Sequence, residues 1–345
     1  MKSRNGSHRQ YYCELRNYYN SAIVREKKAY YALQINAIRG NSRALWQKLR
    51  KWNVVRSPNR SAFLPVNLQD PNLLNNFFID SIPHVAADHN YISQFLNSSF
   101  KDDVFFNFII PSLDEIKTVI LSLKPDVAGP DEISGRMLQL ILPLILAPIT
   151  HIVNISFETG LVPGQWGTCS TFPVLKKPDS KSNSLTVTDL RPITILPVCL
   201  KIAERVLHDQ LQNYVEVNQI LPPLQSGFRK GYSTTSALCS ITDDFIRARD
   251  SGQLTSLTLL DLSKAFDSVH LACLLAKLQH YGIRDNIHNW LSSYLYSRSQ
   301  FTIITAADGL AASDVREIVS GVPQGSILGP LLFSIYMADI TYLSH

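Results

Sequence analysis

Asp261 and Asp267 stand six residues apart in T-L-L-D-L-S-K-A-F-D (258–267), and Asp261 sits within a run of aliphatic residues. A carboxylate in such a place is costly unless it is paired or holds a cation. Phosphoryl-transfer enzymes use strand-end carboxylates of this kind to hold two Mg²⁺ ions. Two surface acids beside a turn give the same spacing, so the spacing leaves both readings open. A second string, S-G-V-P-Q-G-S-I-L-G-P-L-L-F (320–333), sets three glycines and two prolines around Gln324 ahead of a helical run. Such a loop lets backbone come close to a partner at a helix N-terminus. A loop that only caps the helix has the same composition.

The elements that must position these residues are read from periodicity and punctuation. Helices are expected near 8–38 and 42–52, over 111–124, and once or twice within 131–159. A short strand over 171–175 ends in Lys176-Lys177. A long amphipathic helix follows over 197–217, and Ser233 caps another running to about residue 249. The apolar run 256–262 suits a strand buried in a sheet, with Asp261 out of place in it. Further helices are expected near 269–281 and 286–296. Two alternating runs, 301–305 and 315–319, are joined through Asp308-Gly309 as a hairpin, and a last helix covers 327–339. The stretch 57–110, with Pro58, Pro65, Pro71 and Pro83, reads as a linker with some helix that contains the domain boundary. The sum is an α+β layout with a mostly antiparallel sheet.

With 345 residues, 45% of them hydrophobic, the chain can bury a substantial core. Its five cysteines are scattered without a C-x-x-C pair or a Cys/His cluster, which argues against a disulfide framework or zinc site and for a reducing intracellular setting, nucleus or cytoplasm. The N-terminus carries charge where a secretory leader would be apolar. The longest apolar stretch, 137–153, contains Gln139, Pro143, Pro148, Thr150 and His151, so a buried helix pair is expected there and not a membrane span. Charge is unevenly distributed. Residues 1–60 hold fourteen Lys/Arg against Glu14 and Glu26, a local +12; the chain totals +5, so the other 285 residues carry −7. The basic end, interleaved with tyrosines and Trp46 and Trp52, fits contact with a polyanion. It also fits a solvated face whose aromatics pack on the next domain.

Together these strings resemble the reverse transcriptases of non-LTR (LINE-type) retrotransposons. L-L-D-L-S-K-A-F-D-S-V (259–269) resembles that family's first catalytic motif, and G-V-P-Q-G-S-I-L-G-P-L-L-F-S-I-Y-M-A-D-I (321–340) its next. L-K-P-D-V-A-G-P-D-E-I (123–133), L-R-P-I-T-I-L-P-V-C-L-K-I-A-E-R (190–205) and S-G-F-R-K-G-Y-S-T-T (226–235) are similar to its upstream elements, in the same order. The group II intron-type enzymes share the fold, but the L-S-K-A-F-D and G-S-I-L-G-P-L-L-F wording points to the retrotransposon branch.

The resemblance implies a right-hand polymerase fold. A basic helical segment (1–56) and the linker (57–110) precede fingers (111–254) and a partial palm (255–345). It implies RNA-directed DNA synthesis from an RNA template and DNA primer, with deoxynucleoside triphosphates and two Mg²⁺ ions. Asp261 and the Leu262 carbonyl would ligate metal, while Asp267 would shape the turn. Phe266 would lie under the nucleotide sugar and exclude a 2′-hydroxyl. Lys176 or Lys177, with Arg191, would grip the triphosphate. Gln324 and Gly325 would set the incoming base pair against the template, and Arg229 would touch the nucleic-acid backbone. The string R-G-N-S-R-A-L-W-Q-K-L-R-K-W (39–52) is similar to the segment linking endonuclease to polymerase, making Arg39, Arg43, Lys48, Arg50 and Lys51 candidate phosphate contacts. The expected Tyr-x-Asp-Asp hairpin is not found after Asp261; Tyr336-Met337-Ala338-Asp339 reads as the end of the preceding motif, with Ile340 where a second Asp belongs. The sequence is therefore expected to be a truncated fragment without endonuclease, Tyr-x-Asp-Asp motif or thumb. It would be inactive alone, or a domesticated relic that binds nucleic acid.

Overall fold

The computed structural model describes residues 6–38, 44, 48, 64–82, 88–101, 103–176, 185–306 and 309–340. The chain forms two compact units, Met1–Ala62 and Phe63–His345. The described part of the first is essentially one long helix, α1 (Gly6–Asn36), on which Tyr12, Tyr18, Tyr19 and Tyr30 are exposed. Of the second expected helix, residues 44 and 48 are described and helical.

The second unit begins with two helices in the stretch expected as a linker, α2 (Pro71–Asp80) and α3 (His89–Leu96). Asp70 and Asp88 cap them, each accepting two backbone N–H bonds, and Pro71 opens the first turn of α2, where a missing N–H is harmless. α2 is no spacer. Leu74 and Phe78 form a small core with Leu68, Leu185, Leu190 and Ile304. The buried Asn75 takes bonds from Gln300 Nε2 (3.0 Å) and Thr302 Oγ1 (3.2 Å) and donates to the Asp314 carbonyl (3.0 Å). The prolines of this stretch suggest a linker, but here the Asn75 amide ties helix to sheet.

A helical layer follows: α4 (Leu113–Ser122), α5 (Gly135–Leu140) and α6 (Leu142–Thr159). Ser112 and Glu115 make a capping box at the start of α4. α6 is long and apolar enough to cross a membrane by length and composition. Its Ile149, Val153 and Phe157 are buried in the main core. The sheet has strands β1 (Thr168–Leu175), β2 (Leu190–Ile195), β3 (Ser299–Ala306) and β4 (Gly309–Ala312) in the order β2-β1-β3-β4, with β5 (Arg316–Glu317) also paired to β3. Only β1 and β3 run parallel, so the sheet is mostly antiparallel as expected. The expected hairpin is modified: β3 pairs first with β4, while Arg316 and Glu317 return to its beginning.

The remaining helices are α7 (Val198–Val217), α8 (Thr234–Asp250), α9 (Leu271–His280), α10 (Asp285–Tyr296) and α11 (Gly329–Tyr336). Ser233 caps α8 by accepting from the Ser236 amide. Ile202, Leu207 and Leu211 of α7, Leu274 and Leu278 of α9, and Trp290 and Leu291 of α10 are fully enclosed in one core. Each buried aliphatic side chain contributes about 1.5–3 kcal/mol relative to exposure.

One expectation fails outright. Residues 253–262 form no strand, and the run is open to solvent, Leu259 at 83% and Leu260 at 85% exposure. An apolar run reads as an interior strand only when strands flank it. No strand among the described residues pairs with this one.

Candidate active site

The two motifs that sequence reading singled out are brought together, but at Asp267 and not at Asp261. After Leu262 the chain turns through Lys264, whose φ of 51° is in the left-handed region, and the amides of Asp267 and Ser268 both donate to the Lys264 carbonyl at 2.9 Å. This turn meets the glycine-rich loop backbone to backbone: Val322 N–H donates to Phe266 O (2.8 Å) and Gly321 N–H to Val269 O (2.9 Å). Gly321 has φ 77°, and a Cβ there would lie 2.6 Å from the Cα and carbonyl oxygen of Asp267. Only glycine satisfies both conditions. Gln324 Nε2 then donates to Asp267 Oδ2 at 2.8 Å. Asp267 is held above the ordinary carboxylate pKa by burial, with the Gln324 bond opposing.

The loop is also fixed to the sheet. Thr194 N–H donates to Gln324 O (2.8 Å), and a Cβ on Gly325 (φ 116°) would come 2.6 Å from Thr194 O. Arg298, enclosed by protein, donates to Leu295 O (2.9 Å), Ser320 O (3.0 Å) and Gly321 O (2.5 Å). A cavity of about 30 Å³, room for one or two waters, is bounded by Thr194, Asp267, Arg298, Gln300 and Gln324. Phe266 stacks on Phe333 of α11 (4.9 Å between centroids, 20° between planes) and meets the edge of Phe228 at 5.8 Å. Glu204 of α7, with no exposure, accepts from Tyr294 OH (2.6 Å) and from Ile327 N–H (3.2 Å).

The other expected site residues are dispersed. Asp261 and Leu262 lie in the exposed stretch before the turn. Arg191 is exposed on β2, and strand alternation puts it on the face opposite Pro192 and Thr194, which bound the cavity. Arg191, Asp261 and Gln324 thus do not share one groove here. Lys176 donates to Thr188 O at 2.6 Å. Arg229 needs a correction: its Nε and Nη2 bind Glu216 at 3.1 and 2.6 Å, its Nη1 donates to Pro222 O (3.1 Å), and its guanidinium lies 4.5 Å from the Tyr232 ring. A guanidinium so saturated braces the 216–232 bend and has no fork left for a phosphate. Lys48 donates to Gln34. Lys177, Arg39, Arg43, Arg50 and Lys51 lie outside the described residues.

Asp339 is engaged as well. It accepts from the buried Lys277 Nζ (2.5 Å) and from Tyr91 OH, and the ammonium is surrounded by the rings of Tyr91, Phe95 and Tyr336 within 5.3 Å. Arg298, Glu204 and Lys277 were not singled out from sequence. A charged residue inside an apolar helical stripe was the available signal for Glu204 and Lys277.

Thr194, Asp267 and Gln324 therefore bring three separated strings to one small cavity, with Phe266 and Gly325 joined to the same turn and loop through backbone contacts, on an α+β scaffold with a mixed sheet. Residues 175–343 match the model of the reverse transcriptase (RNA-dependent DNA polymerase) family, and this part of the chain is a reverse transcriptase domain. Its relatives come from LINE-type elements. It is 25% identical over 96% of its length to the RNA-directed DNA polymerase from mobile element jockey of Drosophila melanogaster, and 31% identical over 66% of its length to that of Drosophila funebris. It is also 28% identical over 66% of its length to a Pol polyprotein of type-1 retrotransposable element R2 from Popillia japonica. The chain spans 37%, 24% and 30% of these relatives.

Proposed function

We propose that this chain supplies the fingers and the first part of the palm of an RNA-directed DNA polymerase of a non-LTR retrotransposon, working on an RNA template, a DNA primer and deoxynucleoside triphosphates. The observation that carries this is the backbone-level joining of β2, the 264–269 turn and the 321–325 loop. Close backbone approach at Gly321 and Gly325 leaves the loop no room to shift toward Asp267 or Thr194, which suits a surface that gauges a base pair by shape. Phe266, clamped between Phe333 and Phe228, is rigid enough to stand against a nucleotide sugar and exclude a 2′-hydroxyl. Lys176 and Arg191 are the proposed triphosphate contacts, and the cations of residues 39–51 the proposed phosphate contacts of the basic segment. The nucleus or cytoplasm is the setting that goes with this role.

Two-metal nucleotidyl transfer is the chemistry proposed for the complete site, with Asp261 and the Leu262 carbonyl as the ligands from this stretch. The described carboxylates do not fit two Mg²⁺ ions by themselves: Asp267 is bound to Gln324, Asp339 to Lys277, and no cluster of three ligating side chains occurs among the described residues. That engagement favours a second reading, a chain that binds nucleic acid without catalysis.

Binding of a fluorescent DNA primer annealed to an RNA template, followed across salt concentration, tests the shared part. Residues 1–345 should bind with affinity falling steeply as salt rises, and removal of residues 1–56 should weaken binding at least tenfold and flatten the slope. Absence of binding by the whole chain would overturn the proposal, and unchanged affinity after the deletion would remove the basic segment from the interface.

A further inference from the structure

The helix that carries the L-R-P-I-T-I-L string onward ends its first turns with a carboxylate that has no apparent business there. Glu204 is completely buried, and burial pushes its pKa up to about 7 against the bonds it accepts. A fully enclosed carboxyl survives only if its oxygens are used, and both are. Oε1 accepts from Tyr294 OH at 2.6 Å, and Oε2 from Ile327 N–H at 3.2 Å, with the Leu328 amide as a further donor. Ile327 and Leu328 are the two residues between the Gln324-Gly325-Ser326 turn and the first turn of α11. Ser326 itself bridges Pro323 O and Gly329 N–H at 2.9 Å each, and Tyr294 reaches its hydroxyl.

Glu204, Tyr294 and Ser326 therefore form a connected post that holds the C-terminal end of the loop, while Thr194 and Asp267 hold Gln324. We infer that Glu204 is a positioning residue for the Gln324–Gly325 surface: it fixes the start of α11 so that the loop keeps its place against β2 and the 264–269 turn. Resting on the polymerase reading above, the consequence is that nucleotide fit at the loop depends on a side chain that touches no substrate. The neighbouring ionisable groups are Lys201 on the same helix, Cys169 of β1, Tyr294 of α10 and Arg298 beyond it. Burial pushes the Cys169 thiol up to about 12 and the Tyr294 hydroxyl well above its ordinary value, and it lowers Lys201 and Arg298 from theirs. Loss of a proton from Glu204 strengthens its hold on the two amides, because a charged acceptor binds N–H more tightly than a neutral one.

Amide hydrogen exchange of residues 1–345 between pH 5.5 and 8.5, corrected for intrinsic rates, reads this directly. In the unsubstituted chain, protection of the Ile327 and Leu328 amides should rise about tenfold through a midpoint near 7. With Glu204→Gln the same amides should show no pH step, and with Glu204→Leu they should lose at least tenfold protection while Leu207 and Leu211 of α7 keep theirs. If the leucine variant does not fold, Glu204→Gln and Tyr294→Phe decide the matter: the first must flatten the pH step, the second must lower protection at Ile327. A pH step that persists in Glu204→Gln, or protection at 327–328 unchanged in Tyr294→Phe, would overturn the inference. Binding of a deoxynucleoside triphosphate to the primed complex, measured in parallel, separates the two claims. Failure of the unsubstituted chain to bind it would count against the polymerase reading alone, while the exchange result would still decide the role of Glu204.

Discussion

Residues 253–262 find no strand partner among the described residues, whereas the turn that follows them, 263–269, is hydrogen-bonded on itself and to the loop 321–324. The two segments belong to one motif and are equally clear in sequence. They differ in what they need. The turn is completed by i to i+3 and i to i+4 bonds and by two N–H groups of a loop that a glycine brings within reach. The apolar run has the composition of an interior strand, so it is completed only by strands on both sides. Asp261 shares the fate of the second segment and Asp267 that of the first.

The largest effect expected from this contrast is on catalysis. Residues 1–345 expressed alone should give no template-dependent extension of a DNA primer on RNA with Mg²⁺. Two divalent ions beside a triphosphate repel one another and need at least two shared carboxylates; Asp267 and Asp339 are already bound to Gln324 and Lys277. Extension that disappears with Asp261→Asn would show that the exposed segment reaches a working geometry and that a further carboxylate joins it.

Next in size is the close approach at the loop. Gly321→Ala places a methyl against the Asp267 backbone in a left-handed conformation, and should destabilise the second unit by roughly 2–4 kcal/mol in urea titration. A loss below 1 kcal/mol would mean that the turn and loop separate readily, erasing the difference between the two halves of the motif.

How far this was legible beforehand follows the same division. Helices came through with ends displaced by a few residues, because capping and apolar periodicity are local: Ser233 was identified as a cap and is one. The joining of the two motifs was implied by family resemblance, with Asp261 expected to face one groove with Gln324, but it is Asp267 that holds Gln324, since that depends on a tertiary register that composition does not encode. The 256–262 strand was misread because the run has the apolar density of an interior strand whether or not it is paired. Arg229 was assigned to nucleic acid by the family resemblance; its partner Glu216 lies thirteen residues earlier, across a bend that no periodicity announces. Asn75 was missed because a single amide in a helix looks the same whether it faces solvent or the core, and Glu204 was missed although its charge inside the apolar stripe of α7 was a signal.

Glu204 gives the pH-dependent effect. Its pKa is about 7 in the folded chain against an ordinary 4.5, so between those values the folded state keeps a proton that the unfolded state has released. Its contribution to stability is then fully present below pH 4.5, declines as pH rises to 7, and is constant beyond. The span is roughly 3 kcal/mol for such a shift in a fully buried group. Urea midpoints should fall across that window in the unsubstituted chain and stay level in Glu204→Gln; parallel curves would place the proton elsewhere. Smaller again, Arg229→Ala should cost about 1–3 kcal/mol of stability through the lost Glu216 pairing, without altering the salt slope of primed-template binding. A reduced slope would return Arg229 to the phosphate backbone.

The smallest effects expected are the ones that bear most directly on the exposed segment. Leu259→Ala and Asp261→Asn should each change the stability of residues 1–345 by less than about 0.5 kcal/mol, the range of surface substitutions. The reasoning is burial: Leu259 is 83% exposed, and Asp261 has neither an enclosing wall nor a strand partner among the described residues. Were the run packed as an interior strand, trimming Leu259 to alanine would remove buried methyl groups and leave a cavity, at about 2–5 kcal/mol. Denaturant midpoints of the two variants distinguish these cases by several-fold, and the amide exchange of 256–262 gives an independent check, fast for unpaired backbone and slow for a ladder. A stability loss of 2 kcal/mol with Leu259→Ala would place this run inside a sheet, and Asp261 with it, at the end of a strand where a metal carboxylate is held rigid.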